Sequence, residues 1–128
     1  MIIAFTGNRY GLTEEQKTGI KNILARTDKP VTVLHGDCVG ADTDFHNLCS
    51  DLEIDIHVFP PDDDKLRGFN QGSVIMRPRP YLKRNEDMIK RCDVLIACPI
   101  DKNKEILRSG TWATIRKARK LNKTIHIL

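Results

Sequence analysis

The chain has 128 residues, with 21 Lys and Arg against 17 Asp and Glu and a formal net charge of +4. That length fits a single domain, residues 1–128, with a core of its own. No apolar run approaches the roughly 20 residues of a membrane span, and so small a basic excess falls short of the electrostatic footprint of a duplex-DNA binder.

The opening run Met1-Ile2-Ile3-Ala4-Phe5 is short, has no basic leader and ends in a turn. It reads as a strand covered on both faces, not as a signal peptide. The turn is Thr6-Gly7-Asn8-Arg9. Thr13, with Gln16 three residues later, predicts a helix start with a capping box. Ile20, Ile23 and Leu24 give that helix one apolar face, and Pro30 stops it. Val31 to Leu34 is the second strand. It runs into a glycine-centred turn, His35-Gly36-Asp37-Cys38-Val39-Gly40-Ala41-Asp42. Ala41 to Leu52 reads as the second helix, and Ile54 to Phe59 alternates like a strand near a sheet edge.

From Pro60 to Pro80 the pattern breaks. Four prolines, two glycines and the run Asp62-Asp63-Asp64 fall here, and a loop this long is usually a functional lid or a mobile segment. Helical periodicity returns over Tyr81 to Arg91. Val94 to Ala97 is the fourth strand, Arg108-Ser109-Gly110-Thr111-Trp112 a second glycine turn, Thr111 to Leu121 the last helix and Thr124 to Leu128 the fifth strand.

The alternation predicts a three-layer, Rossmann-like α/β sandwich: five parallel strands in the order 3-2-1-4-5, with helices on both faces. Chain direction then reverses between the first and fourth strands, and ligands of such sheets bind outside the carboxyl ends at that point. The turns that meet there are built of glycine and of helix starts, which offer unobstructed N–H donors and a partial positive charge to an anion. Thr6, Gly7, Asn8 and Arg9 are candidates to meet a ligand, Asn8 through a base or ribose and Arg9 through a phosphate. Gly36, Asp37, Gly40, Ala41 and Asp42 are candidates from the second turn. Arg84 and Asn85 come from the third helix; Ser109, Gly110 and Thr111 compose a phosphate cradle at the last. Each has a plainer explanation. Arg9 also suits an ordinary βα turn, Asp42 suits any helix start, Arg84 has partners along its own helix, and Ser109 is an N-cap residue.

Neither G-x-G-x-x-G nor the P-loop G-K-[ST] is present, so NAD and ATP hydrolysis lose support and no cofactor is implied. Cys38, Cys49, Cys92 and Cys98 contain no CxxC pair, so no metal is expected; reduced thiols in a cytoplasmic protein are. Cys38 stands apart, because a glycine turn at a helix start favours a thiolate.

Taken in order, Thr6-Gly7-Asn8-Arg9, Gly36 with Gly40-Ala41-Asp42, Arg84-Asn85-x-x-Met88, Cys92 to Ala97 and Arg108-Ser109-Gly110-Thr111 resemble the SLOG superfamily of Rossmann-like nucleotide-binding proteins. The resemblance spans nearly the whole chain and is greatest to the small YspA/YpsA-like branch. It implies the same fold and a nucleotide-type ligand. The superfamily includes the LOG phosphoribohydrolases, which use an arginine matched by Arg84 and a G-T turn matched by Gly110 and Thr111. Their glutamate is not matched: Trp112, Ala113, Thr114 and Ile115 follow Thr111. DprA, another relative, binds single-stranded DNA.

Three functions stay open at this point. The first is binding or sensing of a nucleotide, nucleotide-sugar or ADP-ribose-like molecule. The second is N-glycosidic hydrolysis of nucleoside monophosphates, with Arg84 as a catalytic residue and Asp42, Asp37 or the Asp62–Asp64 run supplying a carboxylate. Single-stranded nucleic-acid binding ranks third, since only Tyr10, Phe69, Tyr81 and Trp112 offer stacking surfaces. A homo-oligomer is expected, with Trp112 stacked on a base, in a subunit interface or packed against the long loop.

Overall fold

The computed structural model describes residues 1–128. Strands β1 (Ile2–Gly7), β2 (Thr32–His35), β3 (Asp55–Val58), β4 (Val74–Ile75), β5 (Val94–Cys98) and β6 (Thr124–Ile127) form one sheet, and helices α1 (Glu14–Arg26), α2 (Ala41–Asp51), α3 (Tyr81–Arg91) and α4 (Gly110–Lys120) cover it. Every strand pairing is parallel. The order across the sheet is β4-β3-β2-β1-β5-β6.

The expected five-stranded sheet of order 3-2-1-4-5 is therefore wrong. The sheet has six strands, and the additional one lies inside the Pro60–Pro80 stretch. β4 pairs with β3 through His57–Val74 and Val58–Ile75. Its flanks are pinned by the Ser73 N–H on the Ile56 carbonyl (2.9 Å) and the Met76 N–H on the Val58 carbonyl (2.8 Å). Gly72 makes the approach possible, since a Cβ there would lie 2.5 Å from the Ile56 oxygen. A two-residue strand is too short to carry a period-two signal. β3 is consequently an interior strand, and β4 and β6 are the edges.

Strand alternation divides the core in two. Ile3, Phe5, Val33, Ile96 and Cys98 face α1 and α2, where the Phe5 and Phe45 rings stack 4.2 Å apart. Ala4, Leu34, Leu95 and Ala97 face α3 and α4, against Met88, Ile89, Trp112 and Ile115. Each fully buried Ile, Leu or Phe contributes about 1.5–3 kcal/mol, so both layers are held by burial and the carboxyl ends of β1 and β5 are rigidly placed between them. Thr13 caps α1, its Oγ1 accepting the Gln16 N–H (3.1 Å) while Gln16 Oε1 accepts the Thr13 N–H (2.9 Å). No helix is long and apolar enough to cross a membrane, and all four cysteines are free.

Candidate functional site

A cleft of about 430 Å³ opens over the carboxyl ends of β1 and β5, within the range typical of small-molecule sites. Thr6, Gly7, Asn8 and Arg9 line it from the β1 turn, Asp42 from α2, Arg84 and Asn85 from α3, and Ser109, Gly110 and Thr111 from the start of α4. Gly36, Asp37, Gly40 and Ala41 do not line it. A groove of similar size between α1 and α2 is walled by Glu14, Lys17, Lys21, Asp44 and Asp51 with two apolar residues; its charges of both signs converge on nothing.

The glycines of the first two turns bring backbone segments together. A Cβ on Gly7 would lie 2.5 Å from that of Ala41, and one on Gly40, at φ +89°, would overlap the Arg9 carbonyl. The start of α2 thus rests directly on the β1 turn, where the Ala41 N–H donates to the Asn8 carbonyl (3.0 Å). Asn8 is committed to the same turn: its Nδ2 donates to the Cys98 carbonyl (3.2 Å) and its Oδ1 accepts the Tyr10 N–H (2.8 Å).

Arg84 is 4% exposed. Its Nη1 donates to the carbonyls of Gly36 and Phe59, its Nε to Asn85 Oδ1 (2.7 Å), and its Nη2 reaches only Cys38 Sγ, at 3.5 Å. A Cβ on Gly36 would collide with the guanidinium, so that glycine makes room for the arginine. Arg84 is first a bolt joining the ends of β2 and β3 to α3. Nη2, with one weak sulfur partner, is the donor it retains for a ligand.

Asp42 supplies the sole carboxylate on the cleft wall. Its Oδ2 accepts the Cys38 N–H (3.1 Å). Burial pushes its carboxyl up to about 6, and the opposing pull of Arg84 does not cancel that rise. Burial likewise raises the Cys38 thiol, more than Arg84 lowers it; Cys38 is therefore held as the thiol, contrary to the expectation of a favoured thiolate. Asp37, fully buried, faces away from the cleft and ties down the Pro60–Pro80 stretch. It accepts from Arg67 Nε (3.0 Å) and from both nitrogens of Asn70 (2.8 and 3.0 Å).

Sequence reasoning overlooked His35 and His46. His35 Nδ1 accepts the Asp37 N–H (2.9 Å), so its proton sits on Nε2 and points at His46 Nδ1 (2.9 Å). Burial, His46 and Arg84 lower the His35 pKa to about 3, which leaves a neutral imidazole pair beneath the turn. No motif announces two histidines eleven positions apart. The apolar cleft residues Ile100 and Ile106 were also missed; they carry only the ordinary signal of loop hydrophobics, whereas Tyr81, named for stacking, and Met88, part of the helix motif, do line the cleft.

At α4, Ser109 Oγ accepts the Trp112 N–H (3.3 Å), and the first turn holds no acidic residue. The N–H groups of Gly110 and Thr111 have no acceptor in the chain. Trp112 is 3% exposed and packs in the core, where it also lines the cleft, so it does not protrude as an interface residue would. Its Nε1 is buried without a partner.

No protein-family profile and no curated protein sequence matches the chain. Among solved structures, the X-ray structure of TM1055, a structural-genomics target, superposes with a TM-score of 0.68 at 16% identity, over 97% of this chain and 71% of that one. At that identity the similarity is one of fold, and it places the chain among Rossmann-like α/β proteins.

Proposed function

We propose that the chain binds a nucleotide or nucleotide-derived molecule in the β1/β5 cleft. The reading rests above all on the start of α4, where two N–H groups without acceptors, an uncompensated helix dipole and the Ser109 and Thr111 hydroxyls open into one cavity. That combination favours a phosphate. Arg9 and Arg108 add charge on the same wall, and Arg84 Nη2 adds a further donor. Apolar groups supply most of the remaining wall, which suits a base or sugar face better than bare inorganic anion. The SLOG resemblance agrees with this ligand class. Calorimetric titration with nucleoside monophosphates, dinucleotides and their unphosphorylated nucleosides tests it. Binding is expected to require the phosphate; equal affinity for the nucleosides, or none for any phosphorylated compound, refutes it.

One observation favours a second reading, N-glycosidic hydrolysis. Asp42 is a cleft carboxyl whose proton affinity is raised toward neutrality, as a general acid or base requires. Release of free base from a nucleotide, lost in Asp42→Asn with binding retained, would establish it. Binding without release leaves the first reading.

A further inference from the structure

A second, smaller cavity of about 120 Å³ shares only Arg84 with the cleft. Phe59 and Met76 form its apolar wall, and Arg77, Arg79, Arg84 and Arg91 line it with a single carboxylate, Asp87. Asp87 is used by Arg79 (2.8 Å). Arg91 has no acid: it lies over the Phe59 ring (5.2 Å) and touches Met76 Sδ (3.9 Å). Arg77 makes neither an ion pair nor a hydrogen bond through its side chain. Elsewhere Arg116 and Arg119 share Glu105, and Lys90 and Lys117 share Glu86. Four arginines against one carboxylate leave an excess of three positive charges around this one concavity.

The backbone that carries Arg77 and Arg79 is fixed in place. Met76 to Pro80 is pinned at one end by the Met76 N–H on Val58 (2.8 Å). At the other, the Arg79 N–H meets the Pro60 carbonyl (3.3 Å) and the Asp62 N–H meets the Arg79 carbonyl (3.0 Å). Pro78 and Pro80 fix the backbone on both sides of Arg79. From α3, residues 84, 87 and 91 come to one helix face by their spacing. Arginines brought to one concavity without acids to match them are the arrangement that a multivalent oxyanion satisfies, and arginine forks match the geometry of phosphate. The volume decides the size of the guest. At about 120 Å³ it is well below the roughly 300 Å³ at which small-molecule sites begin, a size that suits a single tetrahedral group better than a whole nucleoside.

We infer that this cavity is a second anion site, which takes one phosphoryl group on Arg77, Arg91 and Arg79. The inference does not depend on what occupies the cleft. Inorganic phosphate titrated into the full chain at constant ionic strength, followed by calorimetry and ³¹P NMR, tests it. Saturable binding is expected, weakened on the order of tenfold or more in Arg77→Gln/Arg91→Gln and unchanged in Arg26→Gln, which removes a charge from α1. Arg77→Gln alone, which breaks no contact, serves if the double variant unfolds. With AMP as the probe, weakening by the same substitutions identifies the phosphoryl group of a larger molecule; weakening seen with phosphate alone identifies the free anion, and either supports the site. No saturable phosphate binding overturns it. So does phosphate binding that Thr111→Val reduces and the arginine substitutions do not, and so does oligonucleotide binding lost in those substitutions without any phosphate binding.

Discussion

Replacing Asp42 by Asn separates two accounts of the buried Asp42 and Arg84 charges. The amide keeps the shape of the carboxylate and an oxygen to accept the Cys38 N–H, but it can never ionise. Burial raises the Asp42 carboxyl from an ordinary 3.8 to about 6 even with Arg84 close by. Well below pH 3.8 the group is neutral in the folded and the unfolded chain alike, so the variant and the parent should be nearly equal in stability. Between pH 4 and pH 6 the unfolded chain releases its proton first, and the parent loses stability relative to the variant. Above pH 6 the full penalty is present. Roughly two pKa units correspond to about 3 kcal/mol, so Asp42→Asn should be more stable than the parent at pH 7 by an amount of that order. Urea unfolding from pH 4 to pH 7.5 measures the difference directly, since the other titrating groups cancel between the two proteins. A variant less stable than the parent at pH 7, by a margin that widens from pH 4, would show that attraction to Arg84 outweighs burial and would refute the reasoning. The outcome also bears on function. A carboxylate that the fold holds at a net cost is retained for something other than stability.

Two glycines should respond oppositely to alanine. Gly40→Ala forces a Cβ into the Arg9 carbonyl at φ +89° and should cost about 3 kcal/mol or more, roughly 10 °C in Tm. Gly110→Ala meets nothing nearer than Tyr81 Cε2 at 3.8 Å, so it should leave Tm unchanged or raised while weakening ligand binding; thermal melts paired with titration distinguish the two. Arg84→Met leaves the Gly36 and Phe59 carbonyls buried without their donor and should destabilise by about 3–5 kcal/mol, and a loss under 1 kcal/mol by urea unfolding would show that the bolt is dispensable. His35 should stay neutral at pH 5 because its pKa is lowered to about 3. Its stabilising contribution is then complete above pH 6.5 and declines as pH falls toward 3, and ¹⁵N shifts showing an imidazolium at pH 5 would contradict this.

How far the sequence carried the site depends on what kind of signal each residue leaves. β1 and β5 hold continuous apolar runs, β2 is apolar but for Thr32 and His35, and α1 begins on a capping box, so local chemistry announces them. β4 is two residues held by the backbone of β3 and by Gly72, contacts that exist only once β3 is in place. The same distinction runs through the site. Ser109, Gly110 and Thr111 open a helix, and the unpaired N–H groups of a helix start follow from local sequence, so the composition of that turn was enough to expect free donors there, on what proves to be the cleft wall. Gly36, Asp37 and Gly40 looked equivalent by composition, yet they serve contacts with Arg84, with Arg67 and Asn70, and with the Arg9 backbone, at separations of 30 to 48 positions that no spacing specifies. A glycine in a βα turn therefore reports that something approaches closely; whether that is a ligand or another part of the chain depends on residues far away. Arg84 shows why the two cannot be sorted by residue type. One of its terminal nitrogens is spent on two carbonyls that close the fold, and the other faces the cleft with only a thiol beside it, so a single guanidinium ties stability to the shape of the binding wall.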